Sequence, residues 1–237
     1  MSLYDRNYTR DADIAIEASE NALVNFVKQT YKFFAASVLF ATIGAYIGMG
    51  FVSYMTMPVF IGLVVAEFIL LFGLMFLKSK PVVNVMLLFA FTFVTGVTLV
   101  PLLARVLGLA GGASIVTQAL LMTTIIFGVM SFFALKTTKD LANMGKMLFV
   151  ALIVIVIASL INLFLGNPLI QVIISAVGAI LFSLYIAYDT QNIIRGRYDS
   201  PIMAAISLYL DVLNLFISLL QLLSLNREWY IESLMPI

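Results

Sequence analysis

Three ionisable side chains stand inside long apolar runs of this chain: Glu67, Asp189 and Asp211. All three are acids. An Asp at the centre of a membrane span costs about 2.5–3.5 kcal/mol on insertion scales, so such residues face a partner or a water-filled cavity and mark a function by default. Cysteine and histidine are absent. Their absence removes disulfides, thiolate chemistry, Cys/His zinc sites, His-ligated haem and imidazole acid–base catalysis. The chemistry left inside the runs belongs to carboxylates, and no cofactor is expected.

A helix rise of about 1.5 Å per residue puts Asp189 about 9 Å before Arg195, Asp211 about 15 Å after Pro201 and Glu67 about 16 Å before Lys78. The runs carrying Asp189 and Asp211 are joined by a short segment, which makes them antiparallel neighbours and lets the two carboxyls approach. Two close carboxylates in a low dielectric do not both ionise cheaply; they share a proton and titrate as a coupled pair. Such a pair is a proton sensor. The plainer alternative is that Asp189 reaches the interface or bonds Gln191, Asn192 or a loop donor, and that a protonated Glu67 serves only helix packing.

The elements that must position these acids are set by composition. Of 237 residues, 63% are hydrophobic and 11% charged, against about 45–50% and about 25% in a soluble domain. Segments that are apolar all round belong in lipid, so the fold class is an all-α integral membrane protein. Seven spans are expected, approximately Phe33 to Tyr54, Pro58 to Leu77, Val82 to Leu103, Ser114 to Leu135, Met147 to Leu165, Pro168 to Ile194 and Ile202 to Leu223. Proline stands at or beside the start of four of them (Pro58, Pro81, Pro168, Pro201), where its fixed φ and missing N–H suit helix entry. Pro101 falls near the end of the third span and is expected to kink or stop it. Gly44 and Gly48 form a GxxxG whose expected role is close packing rather than dimerisation.

One domain is expected: a polar N-terminal tail over 1–30, the seven-helix domain over 31–226 and a short C-terminus over 227–237. The tail lacks the apolar core of a signal peptide and is read as retained. The spacing of Ile14, Ala18, Ala22, Leu23 and Phe26 suggests an amphipathic helix lying on the membrane surface. Eleven of the thirteen Lys and Arg fall in the tail and alternate loops, and Arg105 and Arg227 on the other side. That bias predicts N-inside, C-outside, with Trp229 and Tyr230 at the outer interface. Net charge is +1, so nucleic acid is not an expected partner.

Two stretches carry a resemblance. Leu184-Tyr185-Ile186-Ala187-Tyr188-Asp189-Thr190-Gln191, then Ser207-Leu208-Tyr209-Leu210-Asp211-Val212-Leu213-Asn214-Leu215-Phe216 with Leu220-Gln221-Leu222-Leu223, resemble the signature of the Bax inhibitor (transmembrane Bax-inhibitor-motif) family in its bacterial branch. The layout of spans and Glu67 in Val65-Ala66-Glu67-Phe68 extend it over most of the chain. The resemblance implies six helices around a central seventh and a pH-sensitive calcium leak channel. It makes Asp189 and Asp211 the pH sensor and gives a basic latch at the inner end of the second helix. The latch position is Lys78, with Lys80 the nearby alternative; where the bacterial pattern has arginine, lysine gives one point contact in place of a bidentate one.

These readings converge on an expected mechanism. Carboxylate oxygens suit Ca²⁺, so Asp189 and Asp211 are also the candidate metal-contacting residues and Glu67 the candidate ion-path residue. A shared proton draws the sixth and seventh helices together and closes the path; full ionisation and attraction to Lys78 open it. The expected partners are Ca²⁺, protons and the lipid bilayer, with a membrane protease as a further one, and the expected location is a bacterial inner membrane. Two alternatives are a partner protein modulating membrane proteases or stress responses, and a proton-coupled cation carrier. An enzyme is not expected: Tyr188-Asp189 fits an intramembrane aspartyl protease, but Leu208-Tyr209-Leu210-Asp211 does not supply its Gly-x-Gly-Asp.

Overall fold

The computed structural model describes the backbone of residues 3–77 and 80–234 and the side chains of residues 17–77 and 80–225. Helices run in the order α1 (Leu3–Met49), α2 (Met57–Phe76), α3 (Pro81–Thr98), α4 (Val100–Leu107), α5 (Gly112–Lys136), α6 (Gly145–Leu165), α7 (Pro168–Ile194) and α8 (Pro201–Leu234). Short 3₁₀ turns cover Val52–Tyr54 and Leu141–Met144, and no strand occurs among the described residues. Seven segments are long and apolar enough to cross a membrane, α3 and α4 together making the third. The sixth span is therefore α7 and the seventh α8.

Local chemistry sets the boundaries. α7 begins at the expected proline, and Asn167 caps it by accepting from the N–H groups of Leu169 and Ile170 at 2.9 and 3.2 Å. This is the side-chain answer to the orphan donors of a helix start. Pro101 lies in the first turn of α4, so the third span breaks at Leu99. The first span differs from expectation at both ends. Its helix stops at Met49, before the 3₁₀ turn, and extends without a break back to Leu3. The segment around Ile14 is thus collinear with the span rather than a separate surface-lying helix. Phe26 and Val27 pack against the main core.

α8 sits at the centre. In its membrane window 61% of residues are buried within the protein, against 33% or fewer in every other span. It packs on α7, α1, α5 and α3, with Ala204, Leu208, Leu215, Leu219 and Leu220 in the main core. The surrounding helices turn large apolar side chains such as Phe76, Phe132 and Phe164 outward, as lipid requires.

Helices in lipid gain little from burying apolar surface and hold together by close van der Waals packing, which small residues permit. α1 and α3 show this. A Cβ on Gly96 would stand 2.0 Å from the Ala41 carbonyl oxygen, and one on Gly44 would stand 2.1 Å from that of Phe93. The Gly44 and Gly48 pair is consumed by this internal crossing. Gly96→Ala is expected to force the helices apart and cost about 1–3 kcal/mol, read as a lowered thermal unfolding midpoint in detergent. Gly128→Ala, where nothing lies within 4 Å of the added carbon, should leave the midpoint unchanged.

Candidate functional site

α7 and α8 run antiparallel from the short Arg195–Ser200 loop, and their facing surfaces bring Asp189 and Asp211 together. The aspartates are 5% and 6% exposed. Their side chains face and interact with each other, and one buried oxygen of Asp211 has no hydrogen-bond partner. A facing carboxyl pair holds together when one member carries a proton, because only the protonated form donates. Asn192, one turn below Asp189 on α7, and the Tyr198 hydroxyl from the loop are also within reach of Asp189. Tyr185 stands near both acids.

Polar contacts brace the helices around this pair. Thr190, fully buried, meets the Ser131 hydroxyl of α5 at 3.3 Å and the Tyr31 hydroxyl of α1. Gln191 faces the loop before α6: its Oε1 accepts from the Leu141 N–H at 2.7 Å, and its Nε2 donates to the Lys139 carbonyl at 3.0 Å. Gln191 is therefore spent on the neighbouring loop backbone, and of the alternative partners named for Asp189 it is Asn192 and a loop donor, the Tyr198 hydroxyl, that approach it.

Glu67 lies elsewhere. It is half buried on α2 with the Thr98 hydroxyl in reach, one oxygen unpartnered, and Tyr209 nearby, whose hydroxyl bonds Thr95. It lines a cavity of about 460 Å³ with Thr98, Asn214 and Gln221, a different face of α8 from the one Asp211 occupies. A second cavity of about 320 Å³ shares Gln221 and is lined by Arg105, Asn162, Asn167 and Gln171. Between them runs a chain of amides: Asn162 donates to Gln171 at 3.1 Å, and Gln171 donates to Gln221 at 3.0 Å. Similar depth placed the three acids together in the sequence; their azimuths around α8 separate Glu67 from the pair.

Lys78 lies outside the described residues. Lys80, the alternative latch, is exposed at the residue preceding α3. Among the described residues no group of three or more His, Cys, Asp or Glu could hold a metal.

Sequence reasoning gave no role to three uncharged amides inside the spans, Asn162, Gln171 and Gln221, the last quoted only as part of the family signature. A search for amides in apolar runs would have found them. It missed the loop pairings as well. Asp140 accepts from Arg197 at 2.6 and 2.9 Å and meets Arg195 at 3.1 Å. Those arginine contacts and the Ala142 N–H hold the Asp140 carboxyl well below the usual carboxylate range, and Asp140 in turn pushes the Arg197 guanidinium up. With its folded value below the unfolded one of 3.8, Asp140 contributes its full stabilisation above that pH and loses it only on further acidification. Tyr198 is pushed far above the ordinary phenol range by burial and then by the Asp189 charge, so it remains a neutral donor.

Replacing Gln191 by Leu would strand the Leu141 N–H and the Lys139 carbonyl. A loss of about 1–3 kcal/mol is expected, measurable as a lower thermal unfolding midpoint in detergent.

Comparison with known proteins gives one family match. The family described as Inhibitor of apoptosis-promoting Bax1 matches residues 23–228. An uncharacterised protein of Helicobacter pylori is 59% identical over 233 residues, covering 96% of this chain and 99% of its own length. One from Campylobacter jejuni is 50% identical over 94% of this chain and 97% of its own. A Golgi anti-apoptotic protein of vaccinia virus is 32% identical over 67% of this chain and 65% of its own.

Proposed function

The chain belongs to the family of inhibitors of apoptosis-promoting Bax1, and from that premise we propose that it is a pH-sensitive cation leak channel with Ca²⁺ as the permeant ion. The observation that carries this reading is the buried Asp189–Asp211 pair, two acids on adjacent helices whose side chains interact directly. The family match makes the chain a multi-pass membrane protein. In this reading the end bearing the tail and the α2–α3, α5–α6 and α7–α8 loops faces the cytoplasm of a bacterial cell, as its Lys and Arg excess favours.

Acid pH keeps one proton between the two carboxyls and binds α7 to α8. Alkaline pH removes it; two adjacent carboxylates then repel in a low dielectric and the helices part. On the other side of the membrane, the amide-lined cavity leads through Gln221 to the cavity holding Glu67. Carbonyl and carboxylate oxygens there suit a hard cation in transit. The hydrogen-bonded amides keep those oxygens in fixed directions, so a partly dehydrated ion meets acceptors already in place.

The test is Ca²⁺ uptake into proteoliposomes as a function of pH. Flux is expected to rise with pH in the parent protein. Asp189→Asn and Asp211→Asn together should flatten the pH response, because the amides do not titrate. Glu67→Gln should lower flux and keep the pH response. Flux independent of pH in the parent, or a full pH response in the double variant, would contradict the assignment.

A further inference from the structure

The Arg195–Ser200 loop closes the end of the bundle beside the acidic pair, and its geometry is more specific than a connection between two helices requires. α7 ends at Ile194, Arg195 caps it, and Gly196 takes the left-handed conformation, φ 61°. The Gly196 N–H donates to the Ile193 carbonyl at 3.0 Å and the Arg197 N–H to the Asn192 carbonyl at 2.9 Å. This double bond pattern ends a helix with a sharp reversal. The reversal aims both arginines, one on each side of the glycine, at the single carboxylate of Asp140, which is distant in sequence. Asp140 is itself fixed, capping the 3₁₀ turn by accepting from the Ala142 N–H at 3.0 Å.

Two connections run inward from this clamp. Arg197 also donates to the Asn192 side chain at 3.2 Å, and Asn192 is within reach of Asp189. Tyr198, the next residue, projects under the loop, half buried, with its hydroxyl within reach of both Asp189 and Ser207. The outer side of Tyr198 lines a surface pocket of about 320 Å³ together with Met75, Arg197, Asp199 and Met203. Tyr198 therefore stands between that pocket and the aspartates.

We propose that Tyr198 is a positioning residue of the acidic site: its hydroxyl orients Asp189 towards Asp211, its ring shuts the mouth above them, and Asp140 holds it there through Arg195 and Arg197. The loop is then a lid whose release admits water to the pair. Its bearing on conduction rests on the reading of the pair as a gate. The lid itself is a property of the loop and can be measured apart from ion flux.

The chain contains no cysteine, so Ser207→Cys places one thiol behind Tyr198. Its reaction with a water-soluble maleimide in proteoliposomes reports the lid alone. Labelling is expected to be slow in Ser207→Cys. Adding Asp140→Asn should speed it by roughly two- to fivefold, the range for an exposed ion pair. Asp140→Glu, which keeps the charge, should restore the slow rate, and Tyr198→Ala should speed labelling most. Should Asp140→Asn fail to fold, Arg195→Gln with Arg197→Gln opens the same clamp from the other side. A labelling rate unchanged by breaking the clamp overturns the proposal. Absence of pH-dependent Ca²⁺ uptake in the parent, measured on the same vesicles, overturns the channel reading instead.

Discussion

Hydrocarbon offers no hydrogen bonds, so every polar group that enters it must find its partner within the protein. For a carboxyl the demand is severe, since an isolated charge there is costly and a lone neutral acid still needs an acceptor and a donor. Asp189 and Asp211 meet it by facing each other, with Asn192 and Tyr198 in support. The rest of the bundle is arranged around that requirement. α8 has to be central for Asp211 to be buried, α7 has to run against it in the right rotation, and the joining loop has to be short enough to keep them in register.

The small-residue contacts of α1 with α3 serve the same end from the periphery. Gly44 and Gly96 let two backbones touch, which draws α1 and α3, both packed on α8, close together. Thr190, bonded towards α5 and near Tyr31 of α1, fixes the rotation of α7 at the residue next to Asp189. On a neighbouring face of α8, amides satisfy one another around cavities that reach Glu67. One helix thus carries an acid-bearing face and a polar, cavity-lining face, so a rotation or tilt of α8 changes both at once. In the proposed reading, that coupling links protonation to a path for ions.

The span pattern was readable because it rests on local chemistry. Proline at Pro168 and the Asn167 cap before it define a start that no tertiary contact needs to impose, and Pro101 breaks the third span where its missing N–H requires. The continuous α1 was harder to see. Residues 3–43 contain neither Gly nor Pro, so nothing stops the helix, while the charges in that stretch suggested a separate tail. The acidic pair was legible from residue type and depth. Glu67 was not fully so, because depth follows from counting residues but the side of α8 it faces depends on how three helices rotate against one another. Asp140 and its arginines were hidden for the same reason: each looks like an ordinary interfacial loop charge until the two loops are brought together. Gln191 looked like a partner for Asp189 and belongs instead to a neighbouring loop, a distinction only packing makes.

The central claim is that Asp189 and Asp211 share one proton in the closed state and lose it as the pH rises. Infrared difference spectroscopy of the reconstituted protein across a pH titration reads this directly, because a protonated carboxyl has a C=O stretch that a carboxylate lacks. The account predicts a carboxylic acid band that disappears with rising pH and is altered by either Asp189→Asn or Asp211→Asn. A parent protein with no such band at any pH, or a band untouched by both substitutions, would contradict it.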